Sequence, residues 1–306
     1  MSNRITEQPF CQTRVMCRAV DNLELLLSQP DESVDLIYCD ILYGTGRKFK
    51  DYQDLKPIRS EIEAHYLPRL KEMKRVLKPT GSIYLQMDTK INHWMRILMD
   101  DVFGYDNFRN ELIWTYETAG RRSKQKFTKR HDCILFYGMG NDTLKDCKHL
   151  ELVENNYSGY YEDKNGWYQL TGVGDYSDSS ILKLKSDGKI HINGKNKPYL
   201  KIYLTKKDGK LYKEKQLPDV WDDIAPFGRV NLEMKNQKVD YDTQKPIELL
   251  QRIIKASSNE GDMVADYYLG SGTTAVVCKE LNRNFIGCDI NPKAIEITNA
   301  RLDAVS

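Results

Sequence analysis

An α/β fold built on a mostly parallel sheet and interrupted by a β-rich insert is predicted by three features of the sequence. Strand-like and helix-like segments alternate from about residue 13 to 140. Between roughly 141 and 238 the pattern changes to short alternating segments punctuated by DG and NG turns. From 239 to the end the strand and helix alternation resumes. The sheet is therefore expected to draw on both ends of the chain, residues 1–140 and 239–306, with 141–238 as a separate lobe.

The elements follow in order. TRVMC reads as a strand, DNLELLLS as a helix, and DLIYC, rich in apolar and β-favouring residues, as a buried strand. In EIEAHYLPRLKEMKRVL the apolar residues Ile62, Tyr66, Leu67, Leu70, Met73 and Leu77 recur at three- and four-residue steps, which predicts a helix, with KPTG closing it. Strand GSIYLQM and helix INHWMRILMDDVFG come next, then ELIWTY and HDCILFYG, read as a long-looped hairpin at a sheet edge. In the insert, KIHINGK, YLKIYLT and GKLYKE read as strands. The last part runs helix PIELLQRIIKASS, strand MVADYYL, a glycine turn, helix TTAVVCKELN, strand NFIGCDI and a closing helix.

Composition narrows the function. With 306 residues, 40% hydrophobic and 29% charged, the chain has enough apolar material for one large domain or two smaller ones. The net charge of +2 conceals lysines crowded into the middle, which points to an acidic partner. Seven scattered cysteines form neither a disulfide framework nor a zinc-ligand pattern, so no metal is expected and reduced thiols in a cytosol are. MSNRITEQPF lacks a signal-peptide core, and no run approaches the ~18 to 20 apolar residues of a membrane span. A cytoplasmic protein without membrane attachment is expected.

Two motifs carry chemistry. SVDLIYCDILYGTG, residues 33–46, ends a buried strand on Asp40 and opens into a loop holding Tyr43. DYYLGSGTTAVVCKELNRNFIGCDI, residues 266–290, is a strand, a glycine-rich turn, a helix and a strand ending on Asp289. Glycines 270 and 272 would let a ligand approach the backbone, and an acidic residue about 20 positions on can accept both hydroxyls of a ribose. That much suits any adenosine cofactor, a nicotinamide dinucleotide included. A dehydrogenase would need a second half continuing the pattern, and the C-terminus comes too soon. Asp266, at a strand end four residues before Gly270, places a carboxylate where an amino acid's ammonium group could bind, and ribose plus ammonium points to S-adenosyl-L-methionine.

VDLIYCDILY, DTQKPIELLQRII and DYYLGSGTT together resemble the catalytic, helix and cofactor motifs of the DNA amino-methyltransferases. Their order, catalytic motif first and cofactor motif last, is similar to the circularly permuted β group of that family, found in type II and type III restriction-modification systems. The resemblance implies a Rossmann-like methyltransferase fold with a target-recognition insert. It implies a cofactor site of Asp21, Asp40, Lys245, Pro246, Asp266, Leu269, Gly270, Ser271, Gly272, Thr273, Thr274, Asp289 and Asn291. Thr243, Lys245 and Pro246 match its T-x-K-P motif, and Asp21, otherwise a helix N-cap, its acidic position beside adenine.

Asp40, Ile41 and Tyr43 match the family's catalytic D-P-P-Y, with Ile41 and Leu42 replacing the prolines. Asp40 would supply a carboxylate, Ile41 a main-chain carbonyl and Tyr43 a face on which an extruded base stacks. Any residue has that carbonyl, so losing the prolines is expected to remove rigidity only. Restoring both should raise activity a few fold, provided neither N–H is engaged. Aspartate, where serine is commoner among N4-cytosine enzymes, favours adenine N6 in double-stranded DNA. The alternatives are N4-cytosine methylation and a catalytically weak homologue acting as a DNA-binding subunit. In RRSKQKFTKRH, Arg121, Arg122, Lys124, Lys126, Lys129 and Arg130 are expected to contact phosphates. Tyr157, Tyr160, Tyr161, Trp167 and Tyr168 read as core of the insert or as base-stacking groups. A cognate restriction endonuclease and a homodimer are possible partners under the resemblance.

Overall fold

The computed structural model describes residues 13–48, 53–117, 124–153, 159–226, 239–241 and 244–305. The chain forms two compact units, Met1–Asp146 with Pro218–Ser306, and Cys147–Leu217. The smaller is narrower than the 141–238 segment read from the sequence. Lys145 donates its N–H to the Ala256 carbonyl (2.6 Å), and a short strand at Val220–Trp221 runs parallel to the strand carrying Trp114, whose indole N–H reaches the Ile224 carbonyl at 2.9 Å. Buried tryptophans at 114 and 221 hold that return segment to the larger unit.

In the larger unit the strands are β1 (Val15–Ala19), β2 (Val34–Asp40), β3 (Leu77–Met87), β4 (Phe108–Thr115) and β5 (His131–Gly138), then β12 (Val220–Trp221), β13 (Met263–Asp266) and β14 (Asn284–Asp289). They form one sheet in the order β1-β14-β13-β2-β3-β5-β4-β12. The pairs from β1 through β3 are parallel, β5 is antiparallel to both β3 and β4, and β12 is parallel to β4. The hairpin read from the sequence is present, but β12 and not β4 forms the edge.

The pleat sends alternate residues of β2 to opposite faces. Ile37 and Cys39 join a core with helices α1 (Asn22–Leu27), α2 (Arg59–Val76) and α3 (Asn92–Phe103). Leu36 and Tyr38 face a second core with α5 (Ile247–Ser257) and α6 (Thr273–Glu280). A sheet covered on both faces needs continuous apolar strands, which is why DLIYC and CILFYG have no polar alternation. KPTG does not close the second helix: Leu77 already pairs with Val34, and the next partners are Leu36 and Ser82, so KPTG bulges within β3. Gly81 permits this, since a Cβ there would lie 2.7 Å from the Leu77 side chain.

The smaller unit has a sheet ordered β6-β11-β10-β8-β7, with β9 (Ile190–Ile192) on β10. Its strands are β6 (Lys148–Leu152), β7 (Tyr160–Asp163), β8 (Gly166–Gly172), β10 (Pro198–Lys207) and β11 (Lys210–Gln216). It also holds α4 (Asp178–Ser186), capped by Ser177, which the sequence reading left out. Tyr168 is buried, Tyr161 stacks on it at 5.6 Å while half exposed, and Tyr157 lies outside the described residues.

The chain closes with α7 (Pro292–Asp303), whose Thr298 packs against the glycine turn. Gly272 has φ +75°, and a Cβ there would stand 2.2 Å from the Thr298 hydroxyl. The absence of a side chain therefore lets α6 pack tightly on α7. Gly272→Ala should lower stability by about 2–4 kcal/mol, from left-handed strain and overpacking together. Denaturant unfolding checks this, and an unchanged midpoint would show that α7 gives way freely.

Candidate active site

The parallel pairing of β13 with β2 matches Val264 to Leu36 and Ala265 to Ile37, so Asp266 and Asp40 emerge at the same carboxyl edge. Adjacent strands contributed by opposite ends of the chain form a crevice there. A pocket lies at this edge, bordered by Asp40, Lys245, Asp266, Tyr268, Gly270 and Asp289. Leu269, Ser271, Thr273 and Thr274 also line it.

Asp266 is 2% exposed. It accepts the Tyr268 N–H at 3.0 Å and the Thr274 hydroxyl at 2.6 Å, with no cation bonded to it among the described residues. Burial pushes its carboxyl up to about 7, against the lowering by those two donors, and the charges of Asp40 and Asp289 add to the rise. Asp289 accepts N–H groups from Gly270 and Asn291, each at 2.9 Å, which ties the glycine loop to the end of β14. Asn291 caps α7 and orients Asp289, and Pro246 caps α5; neither borders the pocket. Asp21 is the N-cap of α1 and pairs with Arg69 at 2.9 Å. It too is absent from the pocket wall, although Asn22 bonds the Tyr267 carbonyl in the same loop.

On the other side of Asp40 the structure assembles a polar network. The Tyr43 hydroxyl lies 2.9 Å from one oxygen of Asp40 and 2.9 Å from one oxygen of Asp132, and Lys245 forms an ion pair with the second oxygen of Asp40. Asp132, 4% exposed, also accepts from Gln86 (3.1 Å), Tyr116 (2.9 Å) and Lys129 (2.9 Å). Burial would raise the Asp132 pKa, but the charges of Lys245 and Lys129 and the hydrogen bonds hold it below the usual carboxylate value. At Asp40 burial prevails over Lys245 and the pKa is raised. The Tyr43 phenol, half-buried between the two acids, is pushed well up by desolvation and by their charges and stays protonated.

The sequence-derived site is thus brought together around Asp40, Lys245, Asp266 and the glycine loop, with three corrections. Lys129 is no free phosphate ligand: it bonds Asp88 at 2.8 Å as well as Asp132, and these acids raise its pKa against burial. Lys124, Lys126 and Arg130 are exposed, while Arg121, Arg122 and Thr243 lie outside the described residues. The Ile41 N–H is engaged, donating to the Gln86 carbonyl at 3.1 Å, and the Ile41 side chain is buried. The Leu42 carbonyl accepts from Tyr66 at 3.0 Å. Tertiary bonds do the work of prolines, so the proviso on restoring them fails at position 41. Asp132, Gln86 and Tyr116 were missed, although HDCILFYG places a carboxylate against an apolar run just as LIYCD does.

The family model for N6/N4 DNA methylases matches residues 34–300. The chain belongs to this family of S-adenosylmethionine-dependent DNA methyltransferases. It is 43% identical to the type II methyltransferase M2.DpnII of Streptococcus pneumoniae, over 98% of this chain and 94% of that one. Over 95% of this chain and 74% of the relative it is 31% identical to type II methyltransferase M.HpaI of Haemophilus parainfluenzae. DNA adenine methyltransferase YhdJ of Escherichia coli is 29% identical, over 94% and 82%. The cytosine-N4-specific PvuII DNA methyltransferase shares the fold, with a TM-score of 0.56 and 16% identity over 96% of each chain. No helix among the described residues of this methyltransferase is long and apolar enough to cross a membrane.

Ile41→Pro should destabilise the methyltransferase by about 2–4 kcal/mol, because it removes the bond to Gln86 and a buried side chain. Urea denaturation measures this. A stability at or above wild type would show that the loop can adopt the prolyl geometry.

Proposed function

We propose that this methyltransferase transfers a methyl group from S-adenosylmethionine to N6 of an adenine turned out of double-stranded DNA. The observation that carries the reading is the position of Asp40, which borders the Asp266 pocket on one side and meets Tyr43 on the other. S-adenosylmethionine supplies an electrophilic methyl group when bound. The residues present suit it: Asp266 is a buried carboxylate without a cation and matches an ammonium group. Asp289 presents a carboxylate at the pocket wall that suits ribose hydroxyls, and a Cβ on Gly270 would meet nothing closer than Tyr241 at 3.5 Å, so the backbone is open there.

The chain's own side chains act on the base. The amine of adenine is a weak nucleophile because its lone pair is delocalised into the ring. Asp40 would accept one amine hydrogen and the Ile41 carbonyl the other, drawing the nitrogen toward tetrahedral geometry, with the Tyr43 ring holding the base. After transfer the nitrogen sheds one proton, for which Asp40 is the adjacent base. Aspartate at position 40 and the relative named as an adenine methyltransferase support adenine over cytosine. Lys124, Lys126 and Arg130 are assigned to phosphates, and the 147–217 unit to target recognition. A bacterial restriction-modification system, with a cognate endonuclease and a homodimeric enzyme in the cytoplasm, is the setting we assign.

The test is incubation with mixed-sequence DNA and labelled S-adenosylmethionine, followed by nucleoside analysis. N6-methyladenine supports the reading, N4-methylcytosine replaces the substrate, and cofactor binding without transfer leaves a DNA-binding subunit. Asp40→Ala should cut methyl transfer by on the order of 10²-fold or more while leaving cofactor affinity largely intact. Turnover near the wild-type rate would remove Asp40 from the chemistry.

The Asp266 carboxyl gives a pH signature. Below about 7 the unliganded carboxyl is protonated, and an ammonium ligand must drive the proton off. Affinity for S-adenosylmethionine should fall up to about tenfold per pH unit below that value, with proton release visible by calorimetry in buffers of different ionisation enthalpy. Asp266→Asn should abolish the release. For folding alone the sign is opposite: the group favours the folded state below its ordinary 3.8, and that contribution is lost as the pH rises to about 7.

A further inference from the structure

We propose that Asp132 is a positioning residue for methyl transfer: it takes the hydroxyl hydrogen of Tyr43 when the target base arrives, which frees Asp40 to accept from the amine and fixes the Tyr43 ring. The inference rests on the function proposed above and concerns a residue outside the D-I-L-Y tetrapeptide.

Three observations carry it. Tyr43 has one hydroxyl hydrogen and stands 2.9 Å from both Asp40 and Asp132, so that hydrogen is shared between two acceptors in the free enzyme. The other oxygen of Asp40 belongs to Lys245. An incoming amine must therefore share an oxygen of Asp40 with a donor already in place, and the least disruptive way to clear the shared position is rotation of the phenol O–H toward Asp132, with the ring left in place.

Asp132 is unsuited to receive the amine itself. One of its oxygens accepts from Tyr43 and Gln86, the other from Tyr116 and Lys129, which occupies the usual acceptor capacity of a carboxylate. Gln86 is oriented in turn, its carbonyl oxygen accepting the Tyr38 hydroxyl at 2.7 Å. The held-down pKa of Asp132 keeps it an anion, so the alternative acceptor is always present. This arrangement also accounts for a loop that works without prolines. Tyr43 is located by its hydroxyl on Asp132, a buried strand residue, while Ile41 and Leu42 are located by Gln86 and Tyr66.

The experiment is a double-mutant cycle on the full-length enzyme with Asp132→Asn and Tyr43→Phe, reading kcat, the KM for DNA and the Kd for S-adenosylmethionine. Asp132→Asn alone should lower kcat about 10- to 100-fold and leave the cofactor Kd within about twofold. In the Tyr43→Phe background, where no hydroxyl remains to be directed, the same change should cost less than about threefold. Equal losses in both backgrounds would overturn the proposal, because Asp132 would then act independently of Tyr43. Should Asp132→Asn not fold, Tyr43→Phe decides alone: it keeps the stacking ring and leaves Asp132 in place, and a wild-type kcat would overturn the proposal. The wild type in the same assay separates the two levels, since no methylation by it overturns the enzymatic reading, whereas additivity with an active wild type overturns only the role of Asp132.

Discussion

The pairing of β13 with β2 is the constraint on which the rest of the methyltransferase depends. Two register pairs, Val264 with Leu36 and Ala265 with Ile37, bring strands from opposite ends of the chain side by side. Asp266 thereby falls at the level of Tyr38, with Asp40 two residues further along the same edge, and a pocket for one ligand and a carboxylate for another share a wall. A slip of β13 by one residue would turn Asp266 to the wrong face and take Val264 out of its core, while Asp40 stayed fixed by the pairing of β2 with β3. The apolar face of α5 and the three-helix layer across the sheet hold that register, and α5 and α6 also reach the pocket through Leu250, Thr273 and Thr274.

The second theme is how a desolvated edge tolerates so many carboxylates. Asp40, Asp88 and Asp132 share Lys129 and Lys245, while Asp266 has hydrogen bonds but no cation among the described residues. Two cations hold Asp132 as an anion, one does not fully offset the burial of Asp40, and Asp266, with none, is pushed up to about 7. Asp266 borders the pocket, where a positively charged ligand would complete the set. Strain of this electrostatic kind is characteristic of sites that bind and is not a feature a protein keeps for stability.

Most of the fold was legible because both faces of the sheet are covered, so strands read as unbroken apolar runs and helices as three- and four-residue periodicities. The parts that were not legible are those that tertiary contact decides. KPTG looks like a helix stop, yet Gly81 lets it bulge inside β3. VW at 220 and 221 is too short to read as a strand, and is made one by Ile113 and Trp114. At the site, Asp40, Asp266 and the glycine loop were visible in local motifs. Asp132 was hidden because its partners come from positions 43, 86, 116 and 129, which no window of sequence joins. Lys129 was misread for the same reason: a charge run carries no sign of which member turns inward.

Building the sheet from both ends of the chain has a consequence during synthesis. The edge of β2 that β13 will occupy is made early, and β13 itself only 223 residues later. At about 5–20 residues per second the ribosome needs roughly 10–45 s to supply the missing neighbour. Throughout that interval the nascent chain carries an apolar strand, VDLIYCD, with one backbone edge unpaired, the kind of segment that invites pairing with another chain. Conditions that slow elongation, or raise the density of nascent copies on one message, would therefore lower the yield of folded methyltransferase by a route separate from its final stability.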